Sequence, residues 1–282
     1  MDNRKAFVIG YPIRHSRSPL IHQYWLKKYG VAGSYQKIEV PPGELGAFLS
    51  GMQQSGFVGG NVTIPHKERV FEACAMVTDM ARKIGAANTI WLEGDRLCGD
   101  NTDVEGFLAN LDAQAPGWDF SCEKAAVIGA GGAARAIMAG LAARGVKEVK
   151  LVNRSGDRMA VLAKDISDWG FRRVTAHLLG EPNPFDGEAL VVNTTSLGMV
   201  GQPPLSIDLD GLKPDALVSD IVYAPLETDL LVEAKRRGFR TSSGLGMLLR
   251  QAAPAFERWF GLRPEVTPEL LDLVAADVQR AH

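Results

Sequence analysis

Lys67 stands near the end of the stretch GGNVTIPHKE, residues 59–68, where an apolar strand pattern stops at Pro65 and the chain turns. A lysine in that place is ordinarily a solvated charge. It becomes a chemical group when a carboxylate and a bound hydroxyl lie beside it, because its ammonium can then pass a proton to an oxygen and take it back. Two other polar stretches hold residues of the right type. GAANT provides Asn88, and CGDNTDVEG provides Asp103 where a helical pattern begins. On residue type alone Asp103 suits a helix N-cap, whose side-chain oxygen accepts a bond from the first helical turn.

A second signal supplies a reaction for such a lysine. VIGAGGAA places Gly129, Gly131 and Ala134 in G-x-G-x-x-A spacing, after an apolar strand pattern and at the start of an alanine-rich helical one. Small residues there permit a tight turn, close approach of backbone to a pyrophosphate, and close packing of helix on strand. The helix start adds unpaired N–H groups and a partial positive charge for the phosphates. A site for NAD ordinarily carries Asp or Glu about 20 residues further on, to hold the ribose hydroxyl. Here the strand VKLVN ends in Asn153 and is followed by Arg154 and Arg158, with Asp157 between them as a competing partner. Guanidiniums suit a 2′-phosphate that a carboxylate would repel, so the pattern predicts NADP rather than NAD. Thr195 and Ser196 follow another apolar strand, VVN, at the kind of strand end where open parallel sheets place ligands. A nicotinamide cofactor carries hydride chemistry. An alcohol that becomes a ketone must also lose a proton, which gives Lys67 a role.

These groups need a scaffold, and the patterns describe one. Strand-like and helix-like segments alternate almost throughout the 282 residues, which predicts an α/β chain with largely parallel sheets and a length suited to two domains. Strands are expected at KAFVIG, YQKIEV and GGNVTIP, a hairpin at NTIWLE and RLCGDN, and further strands at KEVKLVN, ALVVNTT, ALVSDIV and GFRTSS. The segment from Met247 onward is helical in pattern, and the second domain reads as a doubly wound, Rossmann-like dinucleotide fold. A net charge of −2 without blocks of like charge gives no footprint for nucleic acid or a membrane surface. No apolar run is long enough for a signal peptide or a membrane span, so a soluble, cytoplasmic protein is expected. Cys74, Cys98 and Cys122 form no C-x-x-C pair, and the five histidines show no ligand spacing, so no metal site is expected.

Eight stretches occur in one order along the chain: GYPIRHSRSP, NVTIPHK, GAANT, GDNTDVEG, GAGGAARA, NRS, SDIVYAPLET and GLGMLLRQA. In them the chain resembles the shikimate dehydrogenase family over nearly its whole length. The resemblance implies reversible, NADPH-dependent reduction of 3-dehydroshikimate to shikimate, a step in aromatic amino acid biosynthesis, by a monomer or homodimer. It implies Lys67 as the proton-transfer group and Asp103 as its partner, bonded also to a substrate hydroxyl. Ser16 and Ser18 match the hydroxyls that take the substrate carboxylate, and Thr63, Asn88, Tyr223 and Gln251 match further substrate contacts. Gly129, Ala130, Gly131, Gly132 and Ala133 match the pyrophosphate site. Asn153, Arg154, Ser155 and Arg158 match the 2′-phosphate site, while Asp79, Ile221, Gly244 and Met247 fall near the cofactor. The implied organisation is a substrate domain over 1–105, an NADP domain over 106–242 and C-terminal helices over 243–282 that pack back on the substrate domain. Gln23 after His22, Ser155 in NRS and Ser243 before Gly244 depart from the usual family pattern. Two rivals are a quinate-using or NAD-using relative and a silent metabolite sensor; the sensor is expected to lack Lys67 or Asp103, and both are present.

Overall fold

The computed structural model describes residues 4–281. The chain divides into two compact units: one ends at Asp103 and takes in Leu249–Val274, the other runs over Val104–Leu248 and takes in the residues from Ala275.

In the first unit the elements are β1 (Arg4–Gly10), α1 (Ser18–Tyr29), β2 (Gly33–Glu39), α2 (Leu45–Gly51), β3 (Phe57–Val62), α3 (Lys67–Ala73), β4 (Met76–Val77), α4 (Asp79–Ile84), β5 (Thr89–Glu93) and β6 (Arg96–Asp100). They build one sheet in the order β2-β1-β3-β5-β6-β4. Strand β1 lies parallel to β2 and β3, whereas β5 runs antiparallel to both β3 and β6. The sheet is therefore mixed, because the hairpin predicted at NTIWLE and RLCGDN adds strands by tight turning rather than by crossover. Ala6, Phe7, Val8 and Ile9 of β1 are buried as a continuous apolar run, the pattern of a parallel strand covered on both faces. The glycine pair in β3 makes room for aromatic rings. A Cβ at Gly60 would stand 2.2 Å from the Phe7 ring, and one at Gly59 would stand 2.2 Å from Trp259 Nε1. That indole nitrogen donates to the Ile90 carbonyl at 2.9 Å, so Trp259 is pinned to the sheet by both shape and a hydrogen bond. His22 stacks on Tyr35 at 4.0 Å within this aromatic layer. Burial pushes its imidazole down to about 3, so it packs as a neutral ring at neutral pH.

After α5 (Asp103–Gln114) the second unit contains β7 (Lys124–Ile128), α6 (Gly132–Ala143), β8 (Glu148–Asn153), α7 (Gly156–Asp165), β9 (Arg173–Leu178), β10 (Leu190–Asn193), β11 (Leu217–Asp220), α8 (Asp229–Arg236) and β12 (Arg240–Ser242). Two helices close the chain, α9 (Leu245–Phe260) and α10 (Pro268–Arg280). The second sheet has the order β12-β11-β10-β7-β8-β9, and every pairing in it is parallel. Counted from β7 in chain order this is the 3-2-1-4-5-6 arrangement, whose direction reverses between β7 and β10. The core strands β7, β10 and β11 are almost wholly buried. Strand β9 is absent from the strands expected from the sequence. It lies at the sheet edge, half exposed, and its run RVTAHL alternates polar with apolar residues. Among the described residues no helix is long and apolar enough to cross a membrane.

Candidate active site

Strand β3 stops at Val62, and a short turn delivers Lys67 as the first residue of α3. The turn is nailed down by His66, whose buried ring lies with Nε2 2.7 Å from the Val40 carbonyl. A carbonyl only accepts, so Nε2 carries the proton. The Lys67 carbonyl in turn accepts from Ala87 N at 3.0 Å, which ties the lysine backbone to the segment that carries Asn88.

The side chains converge. Lys67 Nζ donates to Asp103 Oδ2 at 2.6 Å, with the two side chains 23% and 11% exposed. Asn88 Nδ2 donates to the other carboxylate oxygen, Oδ1, at 2.8 Å and to Gln251 Oε1 at 3.1 Å. The amide orientation of Asn88 is forced from behind. Its Oδ1 accepts from Thr102 N at 2.9 Å, from Thr102 Oγ1 at 3.1 Å and from Thr89 Oγ1 at 3.0 Å. Because a backbone N–H can only donate, the oxygen must face Thr102 and the NH₂ must face Asp103. Asp103 is not the N-cap that its residue type suggested. Its own N–H donates to Asn101 Oδ1 at 3.1 Å, and its carboxylate turns to Lys67 and Asn88 instead.

The serine motif adjoins this group through the sheet. Tyr11 N donates to the Ile64 carbonyl at 3.0 Å, so the turns that follow the neighbouring strands β1 and β3 run side by side. Gly10 permits that approach, since a Cβ there would lie 2.5 Å from Thr63 Cγ2. Ser16 is half-buried and Ser18 buried at the start of α1, and Ser18 N donates to Ser16 Oγ at 3.4 Å. Residues that the sequence reading missed stand behind Asn88. Tyr35 Oη donates to Asn61 Oδ1 at 2.7 Å, and Asn61 Nδ2 donates to the Asn88 carbonyl and to Thr89 Oγ1, each at 3.2 Å. Thr89, Thr102 and Asn61 were visible as neighbours of the motif residues, whereas Tyr35 gave no signal beyond a tyrosine in a strand.

In the second unit the glycine turn lies at the sheet's reversal. Gly129 follows β7 with φ +116, and a Cβ on it would reach within 2.4 Å of Thr194 Oγ1, at the end of β10. Gly131 forms the N-cap of α6 without a side-chain cap, and no acidic residue occupies the first helical turn. A Cβ at Gly131 or Gly132 would meet nothing within 4 Å. The helix start is thus bare backbone, uncapped and without a local carboxylate, which fits a pyrophosphate. Past β8, Arg154 and Arg158 are exposed, while Ser155 Oγ caps α7 by accepting from Arg158 N at 3.4 Å. Asn153 Nδ2 donates to the Ser155 carbonyl at 3.3 Å, so no carboxylate ends this strand. The arginines, the uncapped helix and the absent carboxylate together fit NADP.

Thr195 is engaged through its hydroxyl with Asn193 Oδ1 at 2.8 Å, and Ser196 is exposed. Ile221 and Tyr223 are half-buried after β11, and Met247 is buried in α9. Gly244 is required by close approach, because a Cβ there would lie 2.2 Å from the Ile221 carbonyl oxygen. The neighbouring Ser243 is held through its backbone, with its N donating to Gln114 Oε1 at 3.2 Å and its carbonyl accepting from Asn110 Nδ2 at 2.9 Å. Asp79 is the exposed first residue of α4 in the first unit. Among the described residues no group of three or more His, Cys, Asp or Glu could hold a metal ion.

Three family models match in chain order: the shikimate dehydrogenase substrate binding domain over residues 8–90, shikimate / quinate 5-dehydrogenase over 111–179, and the shikimate 5′-dehydrogenase C-terminal domain over 244–268. Shikimate dehydrogenase (NADP(+)) of Methylocella silvestris is 52% identical over 277 residues, covering 98% of each chain. The chain belongs to the shikimate dehydrogenase family. Solved structures of the family agree with the fold. A shikimate 5-dehydrogenase from Thermus thermophilus in complex with NADP(H) and shikimate is 33% identical, with a TM-score of 0.84 and coverage of 98% of this chain and 99% of that one. A quinate dehydrogenase from Corynebacterium glutamicum in complex with NAD is 29% identical, with a TM-score of 0.89 and coverage of 98% and 100%.

Proposed function

We propose that this protein is an NADP-dependent shikimate dehydrogenase that reversibly reduces 3-dehydroshikimate to shikimate in aromatic amino acid biosynthesis. The observation that carries the reading is the Lys67–Asp103 pair, 2.6 Å apart and set by the forced amide of Asn88. NADPH, when bound, supplies the hydride that converts the ketone carbon to an alcohol carbon. The residues of this chain supply the rest. Lys67 gives a proton to the carbonyl oxygen as it becomes a hydroxyl, and in the reverse direction takes it back. Asp103 holds the ammonium with one carboxylate oxygen and, bridging to a neighbouring substrate hydroxyl, orients the ring.

Shikimate is a small ring acid with one carboxylate and three hydroxyls, and its site needs neutral hydrogen-bonding groups with few charges. Ser16 and Ser18 would take the carboxylate. Thr63, Asn88, Gln251 and Tyr223 would take hydroxyls, and such a site rejects analogues that leave its polar groups unpaired. Gly129 to Ala133 would cradle the pyrophosphate, Asn153, Arg154, Ser155 and Arg158 the 2′-phosphate end, and Thr195, Ser196, Ile221, Gly244, Met247 and Asp79 would lie along the remainder of the cofactor.

The test is absorbance of the reduced nicotinamide with shikimate and quinate crossed against NADP and NAD. Fast turnover confined to shikimate with NADP is expected, and comparable quinate or NAD turnover would move the protein to the quinate-using branch. The cofactor site makes its own prediction. Arg154→Ala is expected to raise KM for NADP on the order of 10-fold, the loss of a charged hydrogen bond, while KM for NAD barely changes. Equal effects on both cofactors would remove Arg154 from the 2′-phosphate.

A further inference from the structure

Asp220 ends β11 and is completely buried, and it is none of the residues assigned above to substrate or cofactor. We propose that it is a positioning residue that ties together the two loops carrying Thr195, Ser196, Ile221 and Tyr223, and so holds the second unit's contacts to cofactor and substrate in register. This rests on the reading of the protein as an NADP-dependent shikimate dehydrogenase.

The carboxylate is met by donors from three places in the chain. Val222 N and Asn193 Nδ2 each donate to Oδ1 at 2.9 Å, and Thr228 Oγ1 donates to Oδ2 at 2.7 Å. A buried carboxylate is tolerated only when its oxygens are satisfied in this way, so the side chain is locked by the same bonds that it provides. Thr228 makes the point sharper. It occupies the N-cap of α8 and is of a type that usually caps, but its hydroxyl makes no cap bond and goes to Asp220. Asp220 and Thr228 are the two ends of the segment that carries Ile221 and Tyr223, so their bond closes that loop at its base.

Asn193 extends the tie to the loop after β10. Its Oδ1 accepts from Thr195 N at 3.0 Å and from Thr195 Oγ1 at 2.8 Å, which fixes its Nδ2 toward Asp220 and the Leu197 carbonyl. The loops also meet directly, with Val200 N donating to the Ala224 carbonyl at 2.8 Å. Gly244 pressed on the Ile221 carbonyl leaves the Asp220 loop little room to settle elsewhere. A shift at Asp220 therefore moves both loops together.

Thr228→Val, Asp220→Asn and Asp220→Ala in the full chain separate positioning from plain stability. Asparagine at 220 can still accept from Val222 and Asn193 while its NH₂ donates to a rotated Thr228 hydroxyl, so its constants are expected within about 3-fold of wild type. Thr228→Val and Asp220→Ala are expected to raise KM and Kd for NADP on the order of 10-fold and to lower kcat similarly, because small displacements of positioning groups are amplified in the reaction. Kd is read with the reduced cofactor, NADPH, by its nicotinamide fluorescence, and folding by thermal melting. Thr228→Val and Asp220→Ala proteins with a lowered Tm but kinetic constants and Kd within about two-fold of wild type would overturn the proposal. If Asp220→Ala does not fold, Thr228→Val alone decides. Wild-type protein without shikimate turnover would sink the functional reading, and Kd for NADP in the same variants would still decide the tie.

Discussion

Lys67→Ala is expected to lower kcat for shikimate oxidation on the order of 100-fold or more while changing KM much less, because it removes a group whose main contribution is to proton transfer. The structure makes the expectation specific. Lys67 is the first residue of α3, with its backbone carbonyl tied to Ala87 and the residue before it anchored to Val40. Truncating the side chain leaves those anchors in place, so the loss should fall on chemistry rather than on folding. Asn88 still holds Asp103 from the other side, which preserves a bonding partner for the substrate hydroxyl. The check is steady-state kinetics at saturating NADP beside a thermal melt. Near-normal turnover in a folded variant would remove Lys67 from its assigned role.

Asp103→Asn is expected to lower kcat/KM for shikimate at least about 100-fold, through KM as well as kcat. The substitution is nearly isosteric, but it cannot satisfy its surroundings. One carboxylate oxygen accepts from the Lys67 ammonium and the other from the Asn88 NH₂. Whichever way the new amide turns, its own NH₂ faces a donor, and either Lys67 or Asn88 is pushed from its place. Asn88 cannot turn to accommodate it, since Thr102 N holds its oxygen. Kinetics with shikimate varied, combined with shikimate binding measured calorimetrically, separates the two losses. A folded variant with wild-type shikimate affinity and turnover would show that Asp103 is only a structural partner of the lysine.

The two predictions depend on different kinds of knowledge. Lys67, Asn88 and Asp103 were each legible in the sequence as residues of a suitable type. The helix start, however, invited Asp103 to be read as a cap, since an Asp that precedes a helical run usually serves one. Nothing local to residue 103 says that its carboxylate will meet Lys67, 36 positions earlier, rather than the N–H groups of its own helix. Tyr35 was invisible for a similar reason, because its importance lies in a hydroxyl that meets Asn61 across 26 positions. Edge strand β9 escaped because an exposed strand needs no apolar run.

What the sequence by itself determined is local or periodic: the alternation of strand and helix, the hairpin, the glycine turn after β7, the missing carboxylate at Asn153, and the order of motifs that shows the family. Such features follow from backbone sterics, side-chain burial and charge within a few residues. What only the tertiary structure decided is which polar groups meet. The orientation of Asn88 is set by Thr89 and Thr102, the partner of Thr228 is Asp220 rather than its own helix, and the predicted hairpin joins the first sheet with β5 antiparallel to β3. Hydrogen bonds between side chains have short reach and strict direction, so their partners depend on where distant strand ends are brought by the packing of the sheets.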